Sequence, residues 1–291
     1  MLKKILMIAA ALFLIGAIVF FIAFAASGFS FNGLSSLTTE DRLYTESQDN
    51  KINAISLKYS NADISISLGD TFSVSYPVIT SKGGSPVSEV RVSDTNGRLV
   101  ISERIDPIKA IGFGRLEPKI VITLPADRVT DLAIETDNGS ISVEGTGIPV
   151  GIFTADTDNG DIDIDRLSAK KIGASTDNGS VTVKDVTATD GISLETDNGE
   201  IEMHGNVTAA SLEAEASNGD ISHEGGAIFA SRISISTEIG DIEATFAGSE
   251  ADYTVLVEKS IGNSNISNST GGEKRAELET DVGDIEIHFL G

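Results

Sequence analysis

The side chains best placed by type and spacing to do chemistry are carboxylates around a repeated turn. T-D-N-G begins at Thr136, Thr157, Thr176 and Thr196, and Asp156, Asp158, Asp161, Asp163 and Asp165 crowd one of these turns. If successive turns stack, Glu200, Asp220 and Asp241 follow one another up a single outward column. Like charges at strand spacing repel, and a hard cation shared by their oxygens would relieve that repulsion. Calcium is therefore the sharpest cofactor hypothesis, with Asp161, Asp163, Glu200, Asp220 and Asp241 as its ligands. The spacing does not match the 12-residue helix-loop-helix calcium loop, with its glycine at the sixth position, and the G-G-x-G of nonapeptide calcium repeats is missing. Solvated acids on an outer face are the plainer expectation, and no other cofactor is implied.

Catalytic constellations are sparse. His204 and His288 occupy the same place in their repeats, but four coils apart in a sequential stack, about 19 Å at strand spacing, so they cannot share a site. His223 falls at an inward position and reads as a neutral, hydrogen-bonded core histidine. There is no cysteine and no G-x-S-x-G nucleophile turn. β-Helical lyases and hydrolases do use outer-face acids, so carbohydrate cleavage is the least favoured alternative. With no Trp and 4 Tyr, platforms for stacking sugars are few. The expectation is a protein without enzymatic activity.

The elements that must position these residues are short strands. The glycines of the turn are Gly139, Gly160, Gly179, Gly199, Gly219, Gly240, Gly262 and Gly283, at intervals of 21, 19, 20, 20, 21, 22 and 21 residues. A period of about 20 residues is that of a solenoid. Seven and five positions before each glycine the residue is apolar, as in Leu132/Ile134, Ile172/Ala174 and Ile233/Ile235. Two positions after it stands Ile or Val in seven of the eight repeats. This alternation has period 2 and marks strands with one buried face. Leu167/Ala169, Val186/Ala188, Val207/Ala209 and Ile228/Ala230 add a further apolar pair, so each unit reads as three short strands.

The turn itself decides between hairpins and a solenoid. Asn-Gly between alternating strands is a strong hairpin signal, needing φ > 0 at both residues. Along the chain, however, Asn138, Asn159, Asn178, Asn198 and Asn218 give way to Ile239, Ile261 and Val282. β-Branched residues rarely adopt φ > 0, so only the glycine is expected to be left-handed there. The turn is then the corner of a parallel β-helix, stacked coil after coil. The interchange of Asn with Ile and Val predicts a half-buried position and a ladder of hydrogen-bonded asparagines at 138, 159, 178, 198 and 218.

The fold expected is all-β, a right-handed parallel β-helix behind one N-terminal transmembrane helix. Residues 5 to 26 carry no charge, long enough to cross a bilayer. Lys3 and Lys4 precede them, which places residues 1 to 4 in the cytoplasm and the rest outside. This segment reads as a signal anchor in the cell membrane; a signal cleaved after Ala25, giving a secreted protein, is the other reading. Residues 27 to 49 form a linker and cap, 50 to 130 an irregular first β portion broken by five prolines, and 131 to 291 the regular repeats. The formal net charge of −23 excludes nucleic acid and anionic lipid as partners of the exported part. The chain ends on Ile285-Glu286-Ile287-His288-Phe289-Leu290, an edge that invites pairing. Residues 246 to 275 are its candidate cover, and self-association through the C-terminal coil is expected.

The apolar segment, S-N-A-D-I-S-I at 60 to 66, K-I-V-I-T-L-P at 119 to 125 and the repeated T-D-N-G-[SDE]-I-x-[IV] together resemble the bacterial putative-adhesin family of unknown function. The resemblance covers roughly 240 of the 291 residues. It implies a right-handed β-helix facing the outside of the cell, in some members encoded near cell-envelope stress systems, and it brings no catalytic residues. The function expected is non-catalytic binding, adhesin-like or structural in the cell envelope. Partners are then a cell-surface polymer or an envelope protein. A sensor or accessory subunit of an envelope-stress system is the alternative.

Overall fold

The computed structural model describes residues 37–47, 50–81, 83–105 and 116–291. The apolar segment 5–26 and the cleavage point after Ala25 lie outside them. Among the described residues no helix is long and apolar enough to cross a membrane. The fold is an all-β solenoid built from two parallel stacks. One stack contains the strands that precede the corners, among them Thr130–Asn138, Val150–Asn159, Ser168–Asn178, Thr187–Asn198 and Val207–Asn218. The other contains the short strands that follow, including Ile141–Glu144, Ile162–Asp165, Val181–Lys184, Ile201–His204 and Ile221–Glu224.

Side-chain alternation sets the core. The apolar positions on either side of each corner are buried, from Leu132, Ile134 and Ile141 to Leu278 and Ile285. Stacked aliphatics of similar size fill a narrow interior, each contributing about 1.5–3 kcal/mol of burial. In three of the four repeats the third apolar pair does not start a separate strand, Ile228–Phe229 being the exception. It runs into the strand that follows through a bend, as in Ser168–Asn178, where the register shifts between Ala169 and Lys171. Thr187–Asn198 and Val207–Asn218 shift likewise between Ala188 and Gly191 on the lower strand. These bends absorb the one-residue differences in coil length, and so the corners remain in register.

Coil order departs from chain order at both ends, which corrects the sequential stack. Strand Ala54–Asn61 is sandwiched between Arg98–Ile105 and Thr130–Asn138. At the other end Lys274–Val282 stacks directly on Arg232–Ile239, and Tyr253–Ile261 lies beyond it. The last coil is therefore internal, covered from within residues 246 to 275. Ser264 bridges Ile285, and the Asn265 side chain acts as a strand in miniature: its Oδ1 accepts from Ile287 N (2.9 Å) and its Nδ2 donates to Ile287 O (2.9 Å). Ser269 and Asn268 in turn cover the outer edge of Tyr253–Ile261 at Val255 and Val257. Leu37–Thr45, inside the segment read as linker and cap, is an antiparallel edge strand on Ser73–Ser81. Ser88–Thr95 pairs antiparallel with Arg98–Ile105.

Aromatic residues plug the ends. Tyr44 meets Phe72 edge-on at 6.2 Å at the N-terminal end, where Tyr59 is also buried. At the C-terminal end Phe246, Tyr253 and Phe289 form a cluster with centroids 5.5 to 5.9 Å apart. Flat rings close the open cross-section of a coil where no further coil can supply aliphatics.

Candidate functional site

The threonine, asparagine and glycine of T-D-N-G each have their own task at the corner. The threonines are buried, and each hydroxyl donates to the corner carbonyl of the coil below: Thr157 to Gly139 O (3.0 Å), Thr176 to Gly160 O (2.9 Å), Thr196 to Gly179 O (2.8 Å), Thr237 to Gly219 O (2.9 Å) and Thr280 to Gly240 O (3.0 Å). Sequence reasoning gave this threonine no role, although its spacing three residues before the glycine recurs. Ala216 interrupts the column. Replacing Thr196 with Ala should cost about 1–2 kcal/mol by stranding a carbonyl, whereas Ala216→Thr should gain about 1 kcal/mol. Denaturation midpoints that move in the same direction for both substitutions would reject this account.

The asparagines form a ladder. Asn159 Nδ2 donates to Asn138 Oδ1 (3.1 Å), Asn178 to Asn159 (3.2 Å), Asn198 to Asn178 (3.3 Å) and Asn218 to Asn198 (3.4 Å). Asn138 Nδ2 continues to Ser60 O at 3.3 Å. The position is exposed, not half-buried: Ile239, Val282 and Ile261, stacked above Asn218, are 55, 42 and 65% exposed.

Glycine has two reasons at the corner. At Gly139, Gly160, Gly219, Gly240 and Gly262 φ is 137 to 159°, positive as expected and in a region that side chains rarely adopt. A Cβ on any of the eight corner glycines would lie under 3.0 Å from the backbone carbonyl at the corner beneath. Close approach of coils excludes a side chain. Ala62 stands at the foot of the column, where Asp63 N donates to Pro118 O (3.0 Å) of the coil below.

The acids after the corners also serve the stack. Asp161 Oδ1 accepts from Ser180 N (2.9 Å), Asp220 Oδ1 from Asp241 N (2.8 Å) and Asp241 Oδ1 from Asp284 N (2.7 Å). Glu200 N donates to Ser180 Oγ (3.3 Å) in the same column. Asp163 points from the next outward position, and burial, followed by Asp161 and Glu202, pushes its carboxyl up. Among the described residues no three His, Asp or Glu side chains come together as a group that could hold a metal ion. The calcium candidates are thus split between two columns, and three of them are bonded to neighbouring backbone.

On the larger outer face burial raises Asp156, with help from Glu135, Asp158 and Asp177, and raises Glu195, with help from Glu215 and Asp197. Such groups hold protons more tightly folded than unfolded, so their stabilising contribution is complete below the ordinary carboxylate pKa and is lost as pH rises through the raised values. His223 works in the opposite sense. It is 2% exposed, its Nε2 lies 2.9 Å from Gly205 O, and burial holds its pKa below the ordinary 6.5. Stability on its account falls as pH drops from that value. Melting temperature at low salt should therefore peak between the ordinary carboxylate and imidazole values, and added salt should raise it most at alkaline pH. A monotonic rise from about pH 4 to about pH 8, which spans the ordinary values of both groups, would contradict this.

The other histidines pair locally, His204 with Glu202 (3.5 Å) and His288 with Glu286 (3.3 Å). Because the last coil stacks on Ile242–Ala247, they stand three coils apart and not four, about 14 Å at strand spacing. The structure does not bring them together.

A parallel solenoid whose corner threonines, asparagines and glycines hold coils together, and whose outer faces carry repeated polar columns, defines a β-solenoid repeat scaffold. The Toastrack DUF4097 family model matches residues 52–288, and the chain belongs to that family. Comparison with curated proteins finds no significant match. Among solved structures the chain is similar to a protein named a putative adhesin from Bacteroides fragilis, at 19% identity over 86% of this chain and 97% of that one, TM-score 0.51. A putative adhesin from Parabacteroides distasonis is similar at 15% identity over the same shares, TM-score 0.50. At these identities the likeness concerns the fold.

Proposed function

We propose that this chain is a membrane-anchored, extracytoplasmic solenoid that binds a cell-surface polymer or an envelope protein and catalyses no reaction on it. The carrying observation is the parallel register, which repeats like side chains at strand spacing along continuous outer faces. Such faces suit many weak contacts with an extended partner. The uncharged segment 5–26 supports anchoring, with residues 1–4 cytoplasmic and the solenoid outside. A right-handed coil belongs to this reading, since parallel crossovers take that hand almost without exception. Self-association through the C-terminal end is part of it, because Ile261 and Leu290 are 65 and 60% exposed there.

Protease treatment of intact cells tests the placement: the solenoid should be lost from the outside while a fragment carrying the anchor stays with the membrane. Full protection of the solenoid would overturn it. Pull-down of the full-length protein from solubilised membranes tests the partner. Recovery of one membrane protein in stoichiometric amount favours an accessory subunit of an envelope-stress system, and recovery of polymer favours the adhesin-like role.

A further inference from the structure

The bends that absorb differences in coil length leave a trough of about 610 Å³ on the larger outer face. Its axis is the column Lys171, Gly191, Ser211, Arg232 and Arg275, one residue from each of five stacked strands. Gly191 brings no side chain, and Ser193 and Ser211 bring short ones, so the floor is low and lined with hydroxyls. Lys171 closes one end and the two arginines close the other, three strand spacings or about 14 Å away.

The charges are out of keeping with the rest of the molecule. The protein has 44 acids against 21 lysines and arginines, yet among the described residues neither Lys171 nor Arg232 has an ion-pair partner. Arg275 is paired with Glu277 on the trough wall. Arg232 and Arg275 stand directly opposite each other on adjacent strands, an arrangement that costs stability and that Glu277 relieves at Arg275 but not at Arg232. Arginine pairs suit carboxylate and phosphate oxygens, which their planar forks meet through two parallel bonds. Glu213 and Glu277, also on the wall, add acceptors for hydroxyl groups.

We propose that this trough binds an anionic glycan lying along the solenoid axis, its acidic group held by Arg232 and Arg275 and its hydroxyls by Glu213, Glu277 and the serines. The proposal rests on the polymer-binding reading above and names the polymer's chemistry. The acidic surroundings select for sparse charge. A nucleic acid, with one charge per about 1.7 Å of duplex, is repelled by the net −23, whereas a glycan with well-separated acidic groups meets cations only at the two ends of the trough.

The test is calorimetric titration of the purified full chain at low salt with hyaluronan hexasaccharide, a glycerol-phosphate oligomer, a neutral dextran oligosaccharide and single-stranded DNA. The hexasaccharide should bind, and binding should weaken as salt rises; binding of the glycerol-phosphate oligomer alone would overturn the glycan assignment. The double variant Arg232→Ser with Arg275→Ser should weaken it about tenfold or more, and Lys171→Ser less, with melting temperatures showing that each remains folded. Equal binding of dextran, unchanged affinity in the double variant, or no binding of the hexasaccharide overturns the proposal. Co-sedimentation with cell-envelope material is measured alongside. If wild type and double variant sediment equally, the trough assignment fails while the polymer-binding reading stands; if neither sediments, that reading fails as well.

Discussion

Gly199→Ala is expected to destabilise the protein by about 4 kcal/mol or more, at the extreme of single substitutions. Its new methyl would fall under 3.0 Å from the backbone of Gly179, and Gly199 in turn underlies Gly219. Neither neighbour can yield, because their amides are bonded upward to Asn198 O (3.1 Å) and Ile239 O (2.9 Å). The coils must separate, and the Thr and Asn bonds at the corner separate with them. The control lies in the coil below. Gly173 sits on a strand with its would-be Cβ no closer than 3.7 Å to any atom, so Gly173→Ala should be stabilising by about 0.4–1 kcal/mol through the unfolded chain. Equilibrium unfolding of the two variants separates a general dislike of side chains on glycines from the specific approach of coils. Similar midpoints for both would remove the close-approach explanation.

Tyr253→Ala should cost about 3–5 kcal/mol, and the loss should be local. Tyr253 is 1% exposed against Phe246 and Phe289, its hydroxyl donates to Ala247 O (2.9 Å), and Lys274 Nζ lies 4.8 Å from its ring centroid. Solenoid stability is a sum over neighbouring coils. Removing the plug should therefore melt the terminal coils first and bare the edge of Arg232–Ile239. Hydrogen exchange should show faster exchange in 253–290 with the central coils unchanged, together with concentration-dependent assembly. Tyr253→Phe should cost only about 1 kcal/mol, the value of its hydrogen bond. Uniform loss of protection along the whole solenoid would contradict the local account.

Much of the fold was legible because it is written in local alternation. Leu132, Ile134 and Ile141 announce two strands and a corner, and a chain that repeats them every 20 residues or so can bury them only against copies of itself. The Asn ladder was legible for the same reason: the five asparagines hold one place in a regular period. The edge strand Leu37–Thr45 was not, since its side chains are largely exposed and no apolar pattern marks it. The role of Thr196 and its counterparts escaped because a polar residue beside the turn reads as part of the turn, although Thr196 shares the inward parity of Ile192 and Leu194 and faces onto a carbonyl. The trough was invisible because Lys171 and Arg232 are 61 positions apart and meet only through the stacking of intervening coils.

What the sequence determined alone is therefore periodic: strand, corner, inward and outward faces, and the overwhelming negative charge. Each follows from residue type and spacing within one coil. Only the tertiary structure decided which coil lies on which. Lys274–Val282 slips beneath Tyr253–Ile261, although it follows it in the chain, because the aromatic cluster and Asn265 close the end that way and equivalent strands pair equally well in either order. The structure alone likewise decided the second reason for glycine at the corner. Positive φ, found at five of the eight corners, is the reason a sequence reveals locally; the carbonyl of the coil beneath, which excludes a side chain at all eight, is not.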